Sequence, residues 1–294
     1  MACRTAAPRP LGRRSLAGAG AAPPRARAAA PARALDPDNT SVLVAGGGGV
    51  ALDVTRRLKD RGSWVWMLQR TAARQSIIEG MVRPPSPPPF PPLSSPGRRP
   101  EALTAPPVPL VPPQMAIHAP GDAMDPASIE RIMEEIDDVD AVVSTVGGTP
   151  ADPAADSEGN INLIKAAVAK GVQKFVLVTS IGAGDSKAAA PPQVYESLEP
   201  VLVEKTKAEE FLMAQGDKIE YVIVRPGGLK SEPYTGTGIL TEDASVIGAV
   251  NRDDVAELVC RTLFSDEAKN KVYSCIDTAQ MFTEEEREIE TVNI

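Results

Sequence analysis

The sequence predicts an α/β protein with a doubly wound parallel sheet in a single domain, and three observations carry that expectation. Apolar runs such as Phe175-Val176-Leu177-Val178 are unbroken rather than alternating, as strands covered on both faces require. Between them lie segments whose apolar residues recur three and four positions apart, the spacing of an amphipathic helix. The two patterns alternate along the chain, which calls for parallel strands joined by helical crossovers. With 294 residues and 43% hydrophobic content, the chain can build a sizeable core.

Residues 1–35 stand apart. Arg4, Arg9, Arg13, Arg14, Arg25, Arg27 and Arg33 precede the first acid, Asp36, among alanines and prolines, which is the composition of an organelle transit peptide. Arg13-Arg14-Ser15-Leu16 also resembles a twin-arginine export signal, but Arg25 and Arg27 interrupt the apolar stretch that would follow. The folded domain is expected over residues 40–280, with a tail at 281–294. A strand at 42–45 opens it, four glycines follow, and a helix runs through Ala51, Val54 and Leu58 to a stop at Gly62. The second strand is 64–68. Residues 81–114 hold about half of the 29 prolines, and proline at that density removes amide donors, so this stretch is expected to be a disordered, extended insertion. A short third strand is placed at 115–118. Helices at 129–136, 161–171, 207–215 and 253–264 then alternate with strands at 140–146, 174–180, 219–226 and 271–277.

The glycine run suggests what the sheet holds. Between a strand and a helix, glycines let backbone amides approach the pyrophosphate of a dinucleotide at the helix N-terminus. Spaced as GxxGxxG, the run would put Leu52 at the third position, where its bulk would force helix and sheet apart. Spaced as GxGxxA, it gives Gly46, Gly48 and Ala51, with Gly49 opening the helix and Ala51 on the Val54–Leu58 stripe. This is a Rossmann-like arrangement. At the end of the second strand, Gln69 and Arg70 replace the acid that would hold a free ribose 2′-OH. Arg70 together with Arg74 suits a 2′-phosphate, so NADP(H) is expected rather than NAD(H).

Charge and residue types exclude other classes. The net charge is -8, and about -15 without the basic leader, so neither nucleic acid nor an anionic membrane is an expected partner. No apolar run reaches the roughly 18 residues of a transmembrane helix. Cys3, Cys260 and Cys275 lack metal-site spacing and His118 is the one histidine, so no metal is expected. His118 reads as a half-buried structural residue and Cys260 as core packing, although Cys260 and Cys275 also leave room for a regulatory pair. Glu134-Glu135 and Glu284-Glu285-Glu286 read as solvated acidic faces.

The succession "VLVAGGGG", "GDAMDPASIE", "DAVVSTVGG", "NINLIKAAVAKGVQKFVLVTSIGAG", "KAEEFL", "IEYVIVRPGGL" and "NRDDVAELV" resembles the atypical short-chain dehydrogenases/reductases. It is most similar to the NAD(P)H-binding, NmrA-like and Tic62-like group of plastids. The resemblance covers residue 41 to about 280 apart from the proline-rich insertion. It implies that Asp122 and Ala123 meet the adenine, that Ser144, Thr145, Val146 and Gly147 line the adenosine ribose and phosphates, and that Thr179 and Ser180 close the fifth strand. Ser180 takes the place of the family's catalytic or substrate-orienting serine. Lys207 takes that of the lysine holding the nicotinamide ribose, and Pro226 and Gly227 border the nicotinamide. Location in a chloroplast follows from the same resemblance, at the stroma or thylakoid surface, with the mitochondrial matrix as the alternative.

One departure divides the functional expectation. Ordinary members use YxxxK, in which lysine lowers the tyrosine pKa so that it can pass a proton as hydride moves. Val203 stands four residues before Lys207, and Tyr195 lies twelve before it. Two roles remain open: reduction of a small-molecule acceptor by NADPH, with Ser180 or solvent supplying the proton, or a non-catalytic, NADP(H)-responsive scaffold for an organellar complex. Ser180 reads equally well as a hydrogen-bonding turn residue. A nucleotide-sugar epimerase or dehydratase stands further off, since that chemistry leans hardest on the tyrosine.

Overall fold

The computed structural model describes residues 34–81, 116–282 and 289–294. The leader and the proline-rich segment expected at 1–35 and 81–114 fall almost wholly outside them. The strands are β1 (Ser41–Ala45), β2 (Trp64–Gln69), β3 (Ala116–Pro120), β4 (Ala141–Ser144), β5 (Lys174–Val178), β6 (Glu220–Pro226), β7 (Gly228–Lys230), β8 (Gly238–Thr241), β9 (Ala249–Asn251) and β10 (Lys271–Asp277). The principal helices are α1 (Gly49–Asp60), α2 (Gln75–Glu79), α3 (Pro126–Glu135), α4 (Asn160–Lys170), α5 (Pro192–Met213) and α6 (Arg252–Phe264).

Eight strands form one sheet in the order β3-β2-β1-β4-β5-β6-β10-β8. All neighbours are parallel except β8, which runs antiparallel to β10 at the edge. The expected Rossmann-like α/β fold is therefore present, with one reversed edge strand added. Side chains alternate across each strand, so Val42 and Val44 face one way and Leu43 and Ala45 the other. The first pair joins a core with α1, α2 and α6, including Ala51, Val54, Leu58, Ile78 and Val259. The second joins a core with α3, α4 and α5, including Ile129, Leu163, Ala208 and Leu212. Two covered faces explain why the strands read as unbroken apolar runs.

Local differences from the expected elements have physical causes. β3 lies two residues later than 115–118 at its far end, where it pairs Gln69 with Pro120. α5 starts at Pro192, far ahead of 207, although two prolines argue for a loop. Pro192 occupies the first turn, where its missing N–H costs nothing, and Pro200 lies on a solvent-exposed stretch where water can satisfy the freed carbonyl. Residues 289–294 run back along the sheet edge rather than trailing away, with Val292 N donating to Leu240 O at 2.9 Å and Val292 and Ile294 packed on the core. His118 is half-buried on β3. Cys260 and Cys275 are both free and buried, and burial pushes the Cys260 thiol up to about 12 and that of Cys275 higher still.

Buried polar groups tie the second core to the strand ends. Arg225 on β6 meets Glu209 on α5 through two bonds, Nε to Oε1 at 3.1 Å and Nη2 to Oε2 at 2.7 Å. Thr179 Oγ1 donates to the same carboxylate at 2.6 Å, and Asp185 reaches Arg225 from the surface. Glu209 is fully buried and Arg225 nearly so, and the ion pair holds Arg225 in its charged form against the cost of burial. Replacing Arg225 by Met is expected to cost roughly 3–5 kcal/mol, because the buried Glu209 loses its counter-charge and keeps only the Thr179 hydroxyl. Adding Glu209→Gln should recover part of that loss, measured by urea denaturation of both variants.

Candidate functional site

The site forms at the C-terminal ends of the strands, where the sheet order turns from β1 outward to β2 on one side and β4 on the other. Gly46 leaves β1 with φ +136°, a region that side chains rarely adopt. A methyl there would strike Thr145 Oγ1 and stand 3.2 Å from the Thr145 carbonyl carbon. Thr145 is held in place by its own amide, which donates to Ala45 O at 2.8 Å. Gly47 and Gly48 are exposed and have open space where a side chain would project. Gly48 is the N-cap of α1, so the amides of the first turn face this opening. Ala51 is completely buried beneath it, in the register expected from the sequence.

On the β2 side, Gln69 is buried and its amide donates to Gly46 O at 3.4 Å, so it braces the turn. Arg70 is exposed, whereas Arg74 is partly buried and its Nη1 is buried with no hydrogen-bond partner. Beyond β3, Asp122 Oδ1 accepts from Met124 N at 3.0 Å, and buried Ala123 accepts from Asn162 Nδ2 at 3.1 Å. These bonds shape the bend after Gly121.

On the β4 side, Ser144 Oγ donates to Asn160 Oδ1 at 2.6 Å, and Asn160 Nδ2 reaches Val146 O at 3.2 Å and Asp156 O at 2.8 Å. Asp156 lies in a single π-helical turn, Ala155–Gly159, that leads into α4. Its side chain is fully buried, accepting from Gly148 N at 2.8 Å and pairing with Lys205 Nζ at 2.7 Å. Lys205 therefore sits beside Gly147, at 3.4 Å from the place a Gly147 methyl would occupy. Lys207 is instead exposed and bonded to Glu204 at 2.6 Å, and that lysine holds the Glu204 carboxyl below the usual range. Two residues on a helix are about 200° apart, which separates the two lysines. Lys205 was legible in principle, since it lies three before Ala208 and seven before Leu212, on the buried stripe of α5.

Ser180 is half-buried and donates to Ile181 O at 3.1 Å, while the Thr179 hydroxyl is taken up by Glu209. Pro226 ends β6 in the core. Gly227 must lack a side chain because a methyl would strike Gly248 O. Tyr195 sits on α5 with Lys187 Nζ 4.4 Å above its ring, ten residues before Lys205, or about 15 Å along the helix axis. The segment around it is helical and does not fold back toward the site. Val201 and Val203 occupy the positions four before the two lysines. Among the described residues, no cluster of three metal-ligating side chains occurs, and no helix is long and apolar enough to cross a membrane.

A family model described as NAD(P)H-binding matches residues 110–266, more than half of the chain. An uncharacterized chloroplastic protein of Arabidopsis thaliana is 36% identical over 162 residues, covering 51% of this chain and 57% of the relative. The chloroplastic protein TIC 62 of Pisum sativum is 39% identical over 109 residues, covering 35% of this chain and 20% of that one. The chain thus spans little more than half the length of the first relative and a fifth of the second. Among solved structures, an anaerobillin reductase of Escherichia coli superposes with a TM-score of 0.63 at 23% identity, over 81% of this chain and 98% of that one. This last likeness shows the fold alone.

The glycine turn precedes the span matched by the family model, so its fit to a dinucleotide is judged on geometry. The open space at Gly47 and Gly48, the first-turn amides of α1 and the unpartnered Arg74 Nη1 suit an anionic, phosphate-bearing ligand. Replacing Gly46 by Ala should destabilise the protein by about 1–3 kcal/mol, because the unfavourable φ remains whatever Thr145 does. Thermal melts of Gly46→Ala and of Gly46→Ala/Thr145→Ala test this, and the second substitution is expected to restore only part of the loss.

Proposed function

We propose, from the premise that this chain belongs to the NAD(P)H-binding family, that it binds NADPH in preference to NADH and reduces a small acceptor in a chloroplast. The observation that carries the NADPH reading is Arg74, whose Nη1 is buried without a partner just past the end of β2. There it suits a 2′-phosphate, with exposed Arg70 as a second cation and Gln69 in place of an acid. The amides at Gly48, Gly49 and the first turn of α1 receive the diphosphate, and Ala51 lets the helix come close enough to the sheet for that. Asp122 and Ala123 border the adenine, with Thr145, Val146 and Gly147 along the ribose and phosphates.

The bound coenzyme supplies a hydride. At the far end of the site, Pro226 and Gly227 border the nicotinamide, and Ser180 Oγ, bonded to the neighbouring Ile181 carbonyl, can turn and orient an acceptor oxygen. Lys205 takes the role expected of Lys207: held on Asp156 beside Gly147, it can donate to ribose hydroxyls. No tyrosine stands beside it, so the proton comes through Ser180 or from solvent. The chloroplast location is supported by the relatives described as chloroplastic.

The same missing tyrosine favours a second reading, a scaffold whose NADP(H) occupancy changes a binding surface without turnover. NADPH oxidation followed at 340 nm with quinones, flavins and enones separates the two. Turnover supports the reductase, and tight binding with no turnover on any acceptor supports the scaffold. Arg74→Glu is expected to weaken NADPH about tenfold or more and NADH little, by fluorescence titration, and equal losses would refute the 2′-phosphate assignment. Lys205→Met is expected to weaken NADPH about tenfold, and Lys207→Met to leave it unchanged.

A further inference from the structure

Arg252 begins α6, at the opposite end of the sequence from the glycine run, yet its side chain lies against that run. A methyl built on Gly49 would stand 2.9 Å from Arg252 Cδ and 3.7 Å from Arg252 Nε. The stem of this arginine thus occupies the space that the side chain of the first α1 residue would fill, at the helix end whose amides point outward. Among the described residues its guanidinium is bound by neutral oxygens: Nη1 donates to Ser231 Oγ at 2.7 Å and to Leu229 O at 3.4 Å.

The surrounding charges leave that cation available. Asp53, an acid on α1 close enough to feel it, is paired with Arg56. Asp253, the next residue of α6, pairs with Arg56 and Arg57, and Glu257 with Arg57 and Arg61. These pairs clamp α6 to α1 and fix the direction from which Arg252 arrives. The half-exposed guanidinium is consequently a preorganised donor fork beside a helix N-terminus, an arrangement suited to phosphate oxygens.

We infer that Arg252 is a binding residue for the cofactor diphosphate, closing over it from the α6 side while the glycine backbone holds it from below. The inference rests on the cofactor site proposed above and adds a contact that the glycine run does not announce. Through Ser231 and Leu229, the same guanidinium ties the diphosphate end of the site to β7, the strand that follows Gly227.

Fluorescence titration of the full chain with NADPH, and competition with ADP-ribose and with adenosine 2′-monophosphate, tests it. Arg252→Ala is expected to weaken NADPH and ADP-ribose about tenfold or more, to flatten the salt dependence of NADPH binding, and to leave adenosine 2′-monophosphate, which lacks the diphosphate, unchanged. Arg252→Lys should recover part of the affinity. Arg56→Gln, which removes a cation of the α1–α6 clamp away from Gly49, should change none of the three. Unchanged NADPH affinity in Arg252→Ala overturns the inference, as does an equal loss for all three ligands, which would mark a merely structural role. If the unaltered protein binds none of the three, the cofactor site itself is refuted, and the inference with it. Thermal melts of each variant confirm that the fold is retained.

Discussion

The chain must leave β1 and enter α1 within three residues while β4 presses against it from the side. Thr145, bonded to Ala45, sits where a Gly46 side chain would project, and Gln69 braces the Gly46 carbonyl from β2. This crowding leaves no room for a side chain at Gly46, whose positive φ also favours glycine. It brings β1, β2 and β4 to a common edge and aims the first turn of α1 across it. Ala51 completes the geometry from below, since a larger side chain at a fully buried position would push the helix outward. The other contacts proposed for the cofactor take their places relative to this turn.

Two buried carboxylates organise the far side of the site in different ways. Glu209 is spent on structure: it holds Thr179 and Arg225, so the end of β5 is fixed to β6 and α5 before any ligand arrives. Asp156 is poised between structure and ligand. One oxygen holds the Gly148 amide and the other holds Lys205, whose side chain remains partly accessible. An ammonium that has a buried counter-charge and an open side is inexpensive to keep charged at a site edge, and it can share its donors with hydroxyl groups. The π-helical turn supplies this arrangement, because it carries Asp156 at the point where the chain passes Gly147.

Much of the fold was legible. Unbroken apolar runs and helical periodicities placed the parallel strands and the helices of both cores apart from α2 and the first half of α5, and the Ala51, Val54 and Leu58 stripe chose the register of the glycine turn. Less of the site was legible. The resemblance pointed to Lys207, whereas the phase of α5, set by Ala208 and Leu212, turns Lys205 inward. The resemblance set Thr179 at the end of the fifth strand, where its hydroxyl is bonded to Glu209. Pro192 and Pro200 hid the first half of α5, because a proline penalty read locally takes no account of a free first turn or of nearby solvent. Edge strand β8 and the β7–β9 pair are short and gave no periodic signal.

Periodicity and glycine placement by themselves determined that a parallel sheet with two covered faces carries a glycine-rich turn from its first strand into its first helix. Those properties depend on neighbours within a few positions, so they are written locally. Which charges meet was decided only by the tertiary structure. Arg252 reaches Gly49 from about 200 residues away, Asp156 finds Lys205 across two elements, and Arg225 is neutralised by Glu209. Charged side chains have partners set by packing geometry, and their identities cannot be read from spacing along the chain.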